Sequence, residues 1–322
     1  MSDSLRWGIL GTGMIAGKFA ADLKETDMGK LSATGSRSQS SADGFASKYG
    51  GKGVDGYEAL VNDPEVDAIY NSLPNGLHAE WSIKAMRAGK HVLCEKPMAR
   101  NVSEVEEMFD VSEQTGQVLV EAFMYRSHPA IQKLIDMVQG GALGQVKLIR
   151  SNFSFTREVM ESDARYQADH AGGGLMDVGC YCVNLARALM ASEPTEAACF
   201  AHIHEKGVDD YAAGLLRFGE KTLMTFTCGM TVHNDWTTYI SGDDGEIEIN
   251  APWFCDGTFK LTRDGKSETI GAKTNKPMYA LEAEAFAAAV AGGEPWITRE
   301  DTLGNMKVLD QLRALSGVPV PS

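Results

Sequence analysis

LRWGILGTGMIAGKFAADLK, residues 5–24, decides how the whole chain is read. Leu5, Trp7, Ile9 and Leu10 give a short run of strand character that enters Gly11-Thr12-Gly13, and Ile15, Phe19, Ala20 and Leu23 leave it at helical spacing. Strand, glycine turn and helix in that order form a phosphate-binding design. Gly11 takes the tight turn, Gly13 puts no side chain between the backbone and a pyrophosphate, and Ala16 lets the helix pack closely on the strand. The N–H groups and the positive dipole end of the helix then hold the anion. A glycine turn with no ligand is the plain alternative; the strand-to-helix context near the start of the chain favours a dinucleotide.

The chain's 322 residues suit two domains of ordinary size, and 43% hydrophobic with 23% charged residues describes a soluble globular protein. A net charge of -14 disfavours nucleic acid or an anionic membrane as partner, because a phosphate-binding face needs clustered Lys and Arg. No apolar run approaches the roughly 20 residues of a membrane helix, and the opening MSDSLR lacks a signal-type apolar segment, so a cytoplasmic location is expected. The six cysteines show no C-x-x-C spacing, and Cys180-x-Cys182 reads as two small packed side chains, with no metal site expected.

Outward from the glycine turn, Leu31 to Ser36 reads as a second strand that ends in Ser36-Arg37. An Asp or Glu at this point would hold the ribose 2′-hydroxyl of NAD; Ser and Arg instead suit a 2′-phosphate, since a guanidinium offers paired donors and a permanent charge. NADP is therefore expected over NAD, which would bind more weakly, although an exposed loop arginine has the same local pattern. Helices at about 41–49 and 57–61 lead to an apolar strand, 66–73, with Pro74-Asn75-Gly76-Leu77-His78 at its carboxyl end, where open α/β sheets bind ligands. A helix capped at Gly89, the strand His91 to Glu95 ending in Lys96-Pro97, a helix opened by Ser103-x-x-Glu106 and the strand 117–124 continue the alternation. The expected fold is α/β: a Rossmann doubly wound parallel sheet over residues 1–125. From 126 to 322 the rhythm changes to an α+β domain with a large, mostly antiparallel open sheet between 194 and 271, preceded by a helix at 175–190 and closed by helices at 278–291 and 299–315.

Few residues carry chemistry. Lys96 stands just past a strand end, where its ammonium would enter the ligand crevice, although a surface lysine reads the same way. After Ala171-Gly172-Gly173-Gly174 the helix brings Asp177 and Tyr181, four apart, onto one face among apolar neighbours. A buried Asp needs partners or a reason. An Asp–Tyr structural pair or a helix-end hydrogen bond would supply one without catalysis.

Taken together, Gly11-Thr12-Gly13-x-Ile15-Ala16, Ser36-Arg37, Glu95-Lys96-Pro97, Glu121 to Pro129 and Gly173-Gly174-x-x-Asp177-Val178-Gly179-Cys180-Tyr181 resemble the glucose–fructose oxidoreductase/inositol dehydrogenase/rhizopine-catabolism family over essentially the full chain. Within it the sequence is most similar to the branch of NADP-dependent sugar 1-dehydrogenases and trans-dihydrodiol dehydrogenases. The resemblance implies that Lys96 and Tyr181 match the catalytic pair, that Asp177 orients substrate, and that the Lys96–Pro97 bond is cis. It implies cofactor contacts from Gly11, Thr12, Gly13, Met14, Ile15, Ser36, Arg37, Leu73, Pro74, Asn75, His78, Glu95, Lys96 and Arg126, and homo-oligomer (dimer or tetramer) contacts through the C-terminal sheet. Where inositol dehydrogenases carry a catalytic His this chain has Tyr181, which points away from inositol.

Oxidising a carbinol sends a hydride to nicotinamide and a proton to a base. A phenol with its ordinary pKa near 10 is a poor base until a close ammonium favours the phenolate. Tyr181 is thus expected to exchange the proton with help from Lys96, with Arg126 and Phe155 lining the pocket. The expected activity is NADP-dependent oxidation of a sugar or cyclic polyol, for example an aldose at its anomeric carbon. Oxidation of a trans-dihydrodiol or reduction of a sugar ketone is the enzymatic rival. A non-catalytic NADP sensor is the rival of another class, and would not need both Lys96 and Tyr181.

Overall fold

A computed structural model describes residues 4–156, 163–233 and 235–320. It divides into two compact units, Met1–Ser127 with Asn275–Thr302, and His128–Thr274 with Leu303–Ser322.

The first unit is built on β1 (Leu5–Leu10), α1 (Met14–Asp22), β2 (Gly29–Ser36), α2 (Gln39–Tyr49), β3 (Lys52–Asp55), α3 (Tyr57–Val61), β4 (Ala68–Asn71), α4 (His78–Arg87), β5 (His91–Glu95), α5 (Val102–Thr115) and β6 (Leu119–Ala122). The strands form one parallel sheet in the order β3-β2-β1-β4-β5-β6. This is the doubly wound Rossmann order, whose direction reverses between β1 and β4. Strands covered on both faces are mostly apolar, and β4 and β6 are buried at every position, their only polar side chains being Asn71 and Glu121 at or near the carboxyl ends. Trp7 and Phe19 meet edge to face at 5.1 Å, and Phe19 stacks on Tyr70 at 3.9 Å. Each such ring withdraws enough apolar surface to be worth about 1.5–3 kcal/mol. One local expectation fails: α5 is capped by Asn101, whose side chain accepts from the Glu104 N–H at 3.0 Å, two residues ahead of the Ser103-x-x-Glu106 pattern.

The second unit contains α6 (Pro129–Gln139), β7 (Val146–Ser154), α7 (Cys180–Met190) and strands β8 (Glu196–Ile203), β9 (Asp209–Phe218), β10 (Thr222–Gly229), β11 (Thr238–Gly242), β12 (Glu246–Ile249), β13 (Thr258–Arg263) and β14 (Lys266–Gly271). They form an eight-stranded sheet in the order β14-β13-β12-β11-β7-β10-β9-β8, antiparallel throughout except that β7 and β10 run parallel. Register puts Leu148, Leu223, Leu215, Phe200 and Tyr211 on one face, and all five are exposed.

α8 (Met278–Val290) and α9 (Arg299–Ser316) follow. The expectation of a single crossing between 125 and 126 assigns residues 275–302 to the second domain; their contacts belong to the first unit. The cause is aromatic. Phe286 of α8 lies 5.1 Å from Trp7, and Tyr279 lies 6.4 Å from Phe19.

Candidate active site

The glycine turn has the form a diphosphate needs. Gly11 takes a φ of +95°, and its N–H donates to Gly35 O at 2.9 Å, closing β1 against β2. Gly13 is the N-cap of α1, no side chain caps the helix, and a Cβ on Gly13 would meet nothing within 4 Å. The first amides of α1 are therefore available to an anion. A groove of about 630 Å³ continues from here, with Thr12, Met14, Lys18, Ser41 and Lys48 among its lining residues. Ile15 follows Met14 in the same first turn, and Met14 itself is 63% exposed at the helix start. At the end of β2, Ser36 is buried and Arg37 exposed beside Tyr57. Burial pushes the Tyr57 hydroxyl up, and the neighbouring guanidinium opposes that shift. These residues fit a 2′-phosphorylated dinucleotide.

Leu73, Pro74 and Asn75 follow β4 as expected, but His78 does something the sequence did not suggest. It is 1% exposed, with Nδ1 at 3.0 Å from Pro97 O and Nε2 at 2.7 Å from Leu73 O. The ring ties the loop after β4 to the loop after β5, so it supports the site from behind. Burial, aided by the Lys96 charge, drives its imidazole down to about 4 against the pull of the two carbonyls.

Lys96 stands past β5, half-buried, before a cis Lys96–Pro97 bond. Its N–H donates to Glu95 Oε2 at 3.2 Å, and the Tyr70 hydroxyl donates to Glu95 Oε1, so Glu95 faces inward. Behind it lies Glu282 on α8, fully buried, with neither carboxyl oxygen hydrogen-bonded. Burial and then the nearby Glu95 push the Glu282 carboxyl well above the usual range, which makes it a neutral acid. Its surroundings in sequence, Ala-rich and helical, gave no sign of this. Arg126 is buried and pairs with Asp301 at 3.2 Å, an anchoring contact not foreseen.

In the second unit Asp177 and Tyr181 do not sit on one regular α-helix. Leu175–Gly179 is a π-turn that runs into α7 at Cys180, a form often found at functional sites. Asp177 Oδ2 accepts from Arg165 Nε at 2.8 Å, and Arg165 also reaches Asp163 at 3.2 Å. The two carboxylates, Asp177 first, push the guanidinium further up, which fixes its charge. Tyr181 is 5% exposed in an aromatic wall, with Phe153 at 5.2 Å and Trp253 at 5.4 Å. Phe155 packs against Tyr166, Val208 and Met230. All six cysteines are buried and free, and burial pushes the Cys182 thiol up to about 12 and Cys199 to about 11, which leaves them unreactive. Among the described residues no helix is long and apolar enough to cross a membrane, and no group of three His, Cys, Asp or Glu could hold a metal ion.

Two family models match the chain: "Oxidoreductase family, NAD-binding Rossmann fold" over residues 5–123 and "GFO/IDH/MocA C-terminal domain" over residues 131–248. The chain is 34% identical to D-xylose 1-dehydrogenase (NADP(+)) 2 of Haloferax volcanii, over 96% of each chain. It is 34% identical to the trans-1,2-dihydrobenzene-1,2-diol dehydrogenase of Mus musculus over 78% of this chain and 76% of that one. The crystal structure of KijD10, a 3-ketoreductase from Actinomadura kijaniata in complex with NADP and TDP-benzene, superposes with a TM-score of 0.90 at 29% identity, covering 97% of this chain and 98% of that chain.

Proposed function

The chain belongs to the GFO/IDH/MocA oxidoreductase family, and on that ground we propose that it transfers a hydride between NADP and a carbinol carbon of a sugar, cyclic polyol or diol. The observation that carries this reading is the placement of the half-buried Asp177 carboxylate on the π-turn and of the buried Tyr181 phenol just past it, at the start of α7. A carboxylate can orient a substrate hydroxyl and a phenol can exchange its proton. Similarity to a relative named for D-xylose and NADP(+) over nearly the whole chain supports a sugar as substrate.

In this reading the amides at the start of α1 hold the diphosphate and Arg37 with Ser36 holds the 2′-phosphate. Leu73, Pro74 and Asn75 border the cofactor, with His78 and Glu95 fixing the backbone around it. Bound nicotinamide supplies the carbon that accepts or returns the hydride. Tyr181 takes the hydroxyl proton in oxidation and gives it back in reduction, and the Lys96 ammonium favours the phenolate. Arg165 holds Asp177 in place. The protein works in the cytoplasm as a homo-oligomer whose contacts use the exposed apolar face of Leu148, Phe200, Tyr211, Leu215 and Leu223. Sedimentation of Leu215→Glu tests that face: a species as large as the wild type removes it from the interface.

The activity is tested by following NADPH absorbance with a panel of aldoses, cyclic polyols and trans-diols, in both directions, with NADP and with NAD. Turnover with at least one sugar or diol and a preference for NADP is expected. Tight NADP binding with no turnover across the panel would replace the enzyme by a sensor.

A further inference from the structure

The turn that carries Asp177 and leads into Tyr181 follows three glycines, and the structure shows why side chains are excluded there. Asp209, the first residue of β9, sends its carboxylate into that space and is completely buried. Oδ2 accepts from the Leu175 N–H at 2.7 Å. A Cβ on Gly173, whose φ is +116°, would lie 2.1 Å from Asp209 Oδ1, and one on Gly174 would lie 3.3 Å from Oδ2. Helices usually receive such a cap from the N-cap residue itself. Gly174 has no side chain to offer, and a residue 34 positions after Leu175 supplies the acceptor instead. The Asp177 N–H donates to Gly173 O at 2.8 Å, so the capped segment is directly tied to the backbone of Asp177.

We propose that Asp209 is a positioning residue for the reaction: its buried carboxylate, wedged against Gly173 and Gly174 and bonded to the Leu175 amide, sets the π-turn that presents Asp177 and Tyr181. The inference rests on the function proposed above for those two residues. A single misplaced ångström in such a turn can cost about 10²-fold in rate.

The cap also has a protonation state. Burial pushes the Asp209 carboxyl up to about 6, with its own neighbour Asp210 adding to the rise and Arg313 of α9 opposing it. Cys228 of β10 and Cys199 of β8 face the same carboxylate, both as neutral thiols. Asp210 is in turn engaged by His202 at 2.7 Å and Thr231 at 3.1 Å. Above about 6 the Leu175 amide thus meets a charged acceptor, and below it a neutral one; charge-assisted hydrogen bonds are roughly twice as strong.

The test compares wild type, Asp209→Asn and Asp209→Ala in the full chain, by amide hydrogen exchange of the peptide spanning residues 173–181 and by turnover with D-xylose and NADP. Corrected for intrinsic rates, exchange in the wild type through local openings that break the Leu175–Asp209 bond while Asp209 stays buried should be faster at pH 5 than at pH 7. Asp209→Asn keeps an acceptor oxygen but cannot ionise, so it should flatten that difference and retain turnover within about tenfold. Asp209→Ala should exchange faster at every pH and lose about 10²-fold in kcat, with the NADP dissociation constant within about twofold of wild type. If Asp209→Ala does not fold, the flattening in Asp209→Asn decides alone. Exchange in Asp209→Asn that retains the wild-type pH difference overturns the proposal. So does wild-type-like protection of residues 175–181 in a folded Asp209→Ala. If D-xylose is not turned over, the exchange arm still decides the positioning role, and only the assignment of function falls.

Discussion

Lys96 stands at the end of a parallel strand, held by its own neighbours: the Glu95 carboxylate, the cis Pro97, and a histidine that bridges two adjacent loops. Asp177 stands on a π-turn and Tyr181 just past it in α7, with Arg165 bonded to the Asp177 carboxylate and Asp209 to the first amide of the turn, both residues from other parts of the second unit. The first arrangement is what any doubly wound sheet offers, since strand ends and helix starts converge at the switch point. The second has to be assembled by long-range buried charge. This contrast teaches where each unit is vulnerable. Substitutions around Lys96 should act mostly where they are made, whereas the second unit should lose its site through residues that never touch substrate.

The strongest way to break that comparison is at the Tyr181 phenol, for which we propose proton exchange. Tyr181→Phe removes one oxygen and leaves the ring between Phe153 and Trp253, so folding and NADP affinity should survive while turnover falls about 10²–10⁴-fold. Lys96→Met should fall into the same range, and because the proposed mechanism joins the two groups in one step the double variant should lose far less than the product of the single losses. Turnover with a reactive sugar, measured beside an NADP titration, is the check. A Tyr181→Phe enzyme that keeps more than about a tenth of wild-type turnover would mean that the second unit does not carry the acid–base step.

The contrast also explains what could be read from sequence. Gly11, Gly13, Ser36-Arg37 and Lys96 announce themselves because their neighbours along the chain are their neighbours in space. The parallel sheet follows for the same reason, from apolar strands alternating with helices. Asp177 was visible as a buried acid needing a partner, yet Arg165, twelve residues away across an irregular segment, was not. Asp209 begins a strand whose inward alternation it enters as a charge, and only that violation could have flagged it. α8 is apolar almost all round, so no stripe indicated which unit it would cover and no change of period marked Glu282 as a buried acid. Patterns of local period report local structure; the buried carboxylates belong to contacts far apart in sequence.

Acid sharpens the difference between the units because their buried groups titrate in opposite senses. His78 is neutral with its folded value lowered from 6.5 to about 4, so the unfolded chain takes up a proton first as pH falls. Stability is lost through that window, by about 3 kcal/mol at about 1.4 kcal/mol per unit. Asp209 is raised from 3.8 to about 6, so the folded state holds the proton longer. Its stabilising effect is complete below 3.8 and is lost as pH rises through about 6, by a similar amount. Urea unfolding at several pH values between 4 and 6.5 should show His78→Gln resisting acid better than wild type and Asp209→Asn losing stability more steeply on acidification. Parallel pH profiles for all three proteins would remove both groups from the balance.

The smallest effect expected is also the most local. Arg37 is exposed and close to Tyr57, and Arg37→Ala should leave the sheet, the glycine turn and both buried titrations as they are. What it removes is a charged donor pair for the 2′-phosphate, worth about 1.5–3 kcal/mol for hydrogen bonds to a charged group. Solvent and the neighbouring Ser36 and Ser38 hydroxyls can compensate part of that. NADP affinity should therefore fall by roughly tenfold to a hundredfold, while NAD, which has no phosphate there, should change little. Turnover at saturating NADP should be nearly that of wild type, because nothing on the second unit has moved. Titration of both cofactors against the variant separates the outcomes: equal losses for NADP and NAD would place Arg37 in the structure of the β2–α2 loop, and cofactor choice would then have to come from elsewhere in the first unit.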